Sequence, residues 1–128
     1  MKKELYHDAK PFLSIYPVDQ TGANSGDAII DTQGYEGALI VCASGALTID
    51  TVFALEHGDA ANLSDAADVP DADLVGSEPT LLAATDNEIK TFSYIGTKRY
   101  LRIKTSAGSG LIVAAIILHH PRHAPVQT

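Results

Sequence analysis

The chain alternates short runs of aliphatic, β-branched and aromatic residues with clusters of Gly, Asp, Asn and Ser, and almost nowhere repeats its apolar residues at the helical period. That rhythm confines it to strands joined by turns, as in a sandwich or barrel. Strands are predicted at 12–16, 28–31, 39–43 and 51–56, a weak one at 74–75, and three more at 88–94, 99–105 and 111–119. About eight strands is the number that a jelly roll or a similar two-sheet antiparallel β-sandwich uses. The expected architecture is therefore all-β and jelly-roll-like. In 128 residues one core fits, and a second would be too small to stand alone. The body is predicted to span 12–119, with extended arms at 1–11 and 120–128.

Alternation is clean between Tyr100 and Thr105, where Leu101 and Ile103 point one way and Tyr100, Arg102 and Lys104 the other. The small residues of Ser106-Ala107-Gly108-Ser109-Gly110 suit a hairpin loop, so this strand is expected to pair antiparallel with 111–118. That last run, Leu-Ile-Val-Ala-Ala-Ile-Ile-Leu, is apolar at both parities. Both of its faces should be covered, by the second sheet, by a loop or by another subunit. Residues 59–70 read as a long acidic loop with one helical turn. The prolines of 120–128 lack donors and are expected to keep that segment out of a ladder.

Composition excludes several function classes. A formal net charge of −7 disfavours a surface that must neutralise a nucleic-acid backbone. The longest apolar run falls well short of the roughly 18 residues of a membrane span, and the charged first ten residues lead into no apolar signal region. Neither nucleic acid nor membrane is an expected partner, and synthesis and retention in the cytoplasm of the producing cell are expected. The single cysteine, Cys42, lies in an apolar run and is predicted to be buried and inert.

Three constellations invite chemistry. Asp65, Asp68, Asp71, Asp73 and Glu78 could offer oxygens to calcium, and Gly76 matches the glycine of a binding loop, but Val75 and Leu82 stand where donors are needed. His119, His120 and His123, with His57 from a distant loop, could ligate zinc or nickel, yet Pro121 stiffens the run and no Cys or carboxylate flanks it. Gly108-Ser109-Gly110 lacks the third glycine and the helix of a phosphate loop. No nucleophile elbow or dinucleotide fingerprint is present. The chain is therefore expected to be no enzyme, with no cofactor and no metal.

Basic residues concentrate at Lys90, Lys98, Arg99, Arg102 and Lys104 beside Tyr94 and Tyr100, set against an acidic stretch from Asp59 to Asp86. Such segregation reads either as two solvated faces or as electrostatic complementarity between copies or with a partner. Charge and aromatic placement nominate Tyr35, Lys98, Arg99, Tyr100, Arg102, His120, Arg122 and His123 as contact residues.

Four segments, in order, resemble a group of small tailed-bacteriophage virion proteins encoded near the major capsid protein. They are Ile30-Asp31-Thr32-Gln33-Gly34-Tyr35-Glu36; Leu63-Ser64-Asp65-Ala66 with Asp71-Ala72-Asp73-Leu74-Val75-Gly76; Tyr94-Ile95-Gly96-Thr97-Lys98-Arg99-Tyr100-Leu101-Arg102; and His119-His120-Pro121-Arg122-His123-Ala124-Pro125. None is catalytic. The resemblance implies a structural protein of the phage head, a decoration or cement subunit on the outside of the lattice, with a head-to-tail connector or tail component as the alternative. It implies the major capsid protein and copies of the chain itself, as a dimer or trimer, as partners. A carbohydrate- or host-surface-binding module is a rival from another class, disfavoured by the absence of Trp and an aromatic content of 6%. A small metal enzyme using the His-Pro-Arg-His run is a third.

Overall fold

The computed structural model describes residues 4–24, 26–106 and 110–121. Two antiparallel sheets face each other. The first contains β1 (Ala9–Gln20), β3 (Tyr35–Leu47), β6 (Leu74–Val75), β8 (Ile89–Tyr94) and β10 (Gly110–Pro121), in the order β1-β10-β3-β8-β6. The second contains β2 (Ile30–Asp31), β4 (Thr51–Gly58), β5 (Ala67–Asp68), β7 (Thr80–Leu81) and β9 (Tyr100–Thr105), in the order β2-β9-β4-β5 with β7 also on β4. First strand beside last, second beside next-to-last and third beside eighth is jelly-roll wrapping. All eight predicted strands are present, together with β5 and β7, which are two residues each.

Apolar positions of period two explain the core. Ile40 and Cys42 on β3, Phe53 and Leu55 on β4, Leu101 and Ile103 on β9, and Ile112, Ala114, Ile116 and Leu118 on β10 all turn inward and form one cluster. Each large aliphatic or aromatic side chain so buried contributes about 1.5–3 kcal/mol relative to exposure. Cys42 is fully buried, and loss of solvation pushes its thiol up to about 12, with the nearby Glu78 carboxylate adding to the effect.

The expected β9–β10 hairpin is not formed. β9 lies between β2 and β4, whereas β10 lies between β1 and β3 in the opposite sheet. The connection is a crossover between layers, for which small permissive residues serve as well as for a turn. Within this one chain, β10 is covered on one face only. Its inner residues are buried under the second sheet, while Leu111 is exposed and Val113, Ala115 and Ile117 are half-exposed.

The strands also run further than predicted at both ends. Ala9, Lys10 and Pro11 pair with β10, and β10 continues through His120 to Pro121, which pairs with Tyr35. Pro11 is tolerated because β1 is an edge strand, where a missing donor breaks no ladder on the open side. Bulges follow between Leu13 and Ile15 and between Ile15 and Val18, the second around Pro17.

The first bulge turns Ser14 into the interior, where it ties the sheets together. Its hydroxyl donates to the Ala28 carbonyl at 3.1 Å and accepts the Ile103 N–H of β9 at 3.0 Å. Its carbonyl accepts the N–H groups of Asp27 and Ala28. Ser44 presents the opposite case, a buried hydroxyl with no partner among the described residues. In thermal or urea unfolding, Ser14→Ala should cost about 1–3 kcal/mol because it orphans a buried donor, while Ser44→Ala should be neutral or stabilising. Equal effects would refute the assignment.

Candidate binding surface

The described parts of the four segments singled out in the sequence, of the last only His119–Pro121, meet at one end of the sandwich, where β2 and β10 end and β3 and β9 begin. Asp31, Thr32, Gln33, Gly34 and Tyr35 form the turn from the second sheet into the first, closed by the Tyr35 N–H on the Thr32 carbonyl. Gly34 holds φ +94° at the third position, which a side chain would strain. The Asp31 carboxylate accepts the Gln33 N–H at 3.0 Å and so braces the turn from its first residue.

Opposite it, 94–99 folds back over the end of β8. The buried Tyr94 hydroxyl accepts the Lys98 N–H at 3.1 Å and shares a hydrogen bond of 2.9 Å with His57 Nδ1 on β4. Burial raises the Tyr94 phenol above its ordinary value, the Lys98 N–H opposing the rise, so the group stays a neutral hydroxyl. Gly96 passes so close to the ring that an added Cβ would stand 2.5 Å from the hydroxyl oxygen. The Ile95 N–H reaches the Asp73 carbonyl, which brings the second segment to the same place. His57, considered above as a distant metal ligand, is thus an internal brace.

The two loops, 31–35 and 94–99, are locked together by charge. Arg99 donates through Nε and Nη2 to the two Asp31 oxygens, each at 2.9 Å, and Nη2 reaches Gln33 Oε1 at 2.6 Å. Its guanidinium lies 5.1 Å from the centre of the Tyr100 ring. Its carbonyl accepts the N–H and hydroxyl of Thr32. Lys98 pairs with Asp59 at 3.0 Å, which raises the ammonium's pKa. Asp65 accepts the N–H groups of Asp59 and Ala60, bonds that hold its carboxyl below the ordinary value.

Between the loops lies an open cleft of about 420 Å³, lined by residues 32–38 and 94–99. Tyr35, Lys98 and Arg99 line it together. A second hollow of about 300 Å³, bounded by Leu5, Asp8, His119, His120 and Pro121, shares Glu36 with the first. His119 and His120 meet through their Nδ1 atoms at 2.6 Å, and partial burial, then His120, lowers the His119 pKa. Arg102 stands apart, on the outer face of β9, where Glu56 of β4 directly opposes it and pairs at 3.0 Å. Tyr100, half-buried, joins Arg102 and Lys104 on that face. Arg122 and His123 lie outside the described residues.

The carboxylates of the calcium reading serve separate partners: Asp65 its own loop, Asp68 the Lys104 ammonium, and Glu78 the Leu55 N–H. Among the described residues, no three His, Cys, Asp or Glu side chains form a group that could hold a metal. Nor do these residues include a helix long and apolar enough to cross a membrane.

The fold recurs in a prophage-derived protein. The crystal structure of the SPBc2 prophage-derived protein YomS matches with a TM-score of 0.60 at 15% identity, covering 88% of this chain and 94% of that one. The similarity is one of fold. No protein-family model and none of the curated proteins matches the sequence.

Of the nominated contact residues, Tyr35, Lys98 and Arg99 are brought together in the cleft, while Asp31, Asp59 and His57, which hold Arg99, Lys98 and Tyr94, were not nominated as contacts. Nothing local marks those partners, since Arg99 and Asp31 are 68 residues apart. The Arg99 fork, against slight burial, holds the Asp31 carboxyl below its ordinary 3.8, with the Gln33 N–H assisting. A depressed carboxylate stabilises the fold above the ordinary pKa, and that contribution is lost as pH falls through the folded value. Arg99→Ala should therefore move the Asp31 midpoint, followed by its carboxyl ¹³C shift, up towards 3.8. An unmoved midpoint would show that the guanidinium is not the cause.

Proposed function

We propose that this chain is a non-enzymatic structural protein of a bacteriophage virion, a decoration or cement subunit that binds the outside of the head lattice through the end of the sandwich described above. The observation that carries this reading is the convergence at one end of the described parts of the four segments that resemble phage virion proteins. The fold shared with a prophage-derived protein over nearly the whole chain supports the phage origin.

The chemistry of that end suits binding to protein. Lys98 and Arg99 are each matched by a carboxylate of this chain, so the cleft presents hydrogen-bonding groups and the Tyr35 ring on a rigid frame with little uncompensated charge. Pre-organised loops lose little conformational entropy on docking. Many weak contacts repeated over a lattice add by multivalency, so each site needs only modest affinity. The major capsid protein is the proposed partner, with Tyr35, Lys98, Arg99, Tyr100 and His120 at the contact. Virions assembled in the host cytoplasm are the proposed location.

Co-sedimentation with capsids of the same phage that lack this protein tests the reading, with bound copies counted by quantitative gel. Saturation at on the order of hundreds of copies per capsid is expected for lattice binding. About a dozen copies or fewer would overturn decoration in favour of a connector or tail position, and none would remove the head altogether.

A further inference from the structure

The outward faces of the two sheets differ in kind. On the second sheet, Arg102 and Glu56 oppose each other across β9 and β4, and Lys104 bridges Glu56 and Asp68. On the first, cross-strand partners make two apolar rows. Leu13, Ala115 and Val41 lie side by side, ending on Thr91, and Pro11, Ile117 and Leu39 lie beside them, ending on Ser93. None of these positions is charged. Ile89 and Leu111, 67% and 49% exposed, extend the surface at one end, where a shallow hollow of about 310 Å³ opens beside Leu111 and Ala43.

We propose that a second copy of this chain covers this face, the two molecules packing sheet on sheet about a twofold axis. Three features suit a second copy. Four strands at about 4.8 Å spacing and nine residues of β10 at about 3.3 Å rise give a face on the order of 500 Å². Two such faces would bury about 1,000 Å² in total, which reaches the lower bound for a specific interface. A copy is also chemically compatible here, because the two apolar rows carry no charge, while Asp19, opposite Leu111 on the edge strand β1, stands at the rim. At net charge −7 like molecules repel elsewhere, and the two rows add no charge to that repulsion.

The sheet edges point the same way. β1 is interrupted by two bulges and carries Pro11 and Pro17, and the opposite edge, β6, has two residues. Neither offers a long ladder to another chain, so association proceeds through the face. The inference is independent of the virion reading, since it names a surface on the side of the first sheet and not the loop cleft.

Sedimentation equilibrium of the full chain, from low to high micromolar concentration, tests it. Twice the 13.5 kDa chain mass is expected. Val41→Asp should raise the dimer dissociation constant by at least about 100-fold, because it buries an unpaired charge in the interface. The far-UV circular dichroism should not change, since residue 41 points away from the core. Leu13→Asp, on the bulged edge, carries the same expectation should Val41→Asp fail to fold. Val52→Asp, on the outward side of the second sheet, should leave the dimer intact. A monomeric wild-type chain, a trimer, or a dimer indifferent to both first-sheet variants would overturn the proposal.

Discussion

The pairing of the first strand with the last is the constraint on which the rest of the structure depends. β10 is the most apolar strand of the chain, and it is stable only when flanked on both sides, by β1 from the beginning of the sequence and by β3. Ala9 sits opposite His119, so closing this ladder encloses almost the whole chain. Such non-local pairing is entropically costly to initiate and places the fold among the slower-forming topologies. Its return is geometric. Once β10 is seated, the wrapping order brings the ends of β2, β4, β8 and β10 and the starts of β3 and β9 to one end of the molecule.

That end is then held by polar contacts whose value lies in position more than in stability. Arg99–Asp31 and Lys98–Asp59 are well exposed, and ion pairs of that kind contribute about 0–1 kcal/mol. They orient two loops around a cleft while the Tyr94–His57 contact anchors one of them in the core. Along the second sheet the same matching of opposite charges continues from Glu56 to Asp68. The basic and acidic stretches that are separated in sequence are therefore interleaved in space. The outward face of the first sheet, by contrast, carries two apolar cross-strand rows.

Strand positions were legible because a half-buried strand writes its alternation into the sequence, as Tyr100 to Thr105 does. β5 and β7 were not, since Ala67-Asp68 sits in an acidic stretch and Thr80-Leu81 directly follows Pro79. The sheet to which β10 belongs was also illegible: a loop of Ser, Ala and Gly reads alike for a hairpin and for a crossover. For β10 itself, apolar residues at both parities correctly signalled two apolar faces, but not that the second sheet covers only one. At the site, Tyr35, Lys98 and Arg99 were visible as aromatic and basic residues, although Tyr35 is half-buried against the core. Their partners were not, because Asp31 and Asp59 look like any loop carboxylates until the wrapping places them.

Amide hydrogen exchange of the protein bound to its capsid, compared with the free protein, tests most directly that the convergent end is the attachment site. Slowed exchange at residues 32–38 and 94–100 is expected, with the amides of β4 and β5 on the second sheet unchanged. Protection confined to β4 and β5, with the two cleft loops exchanging as in the free protein, would contradict it.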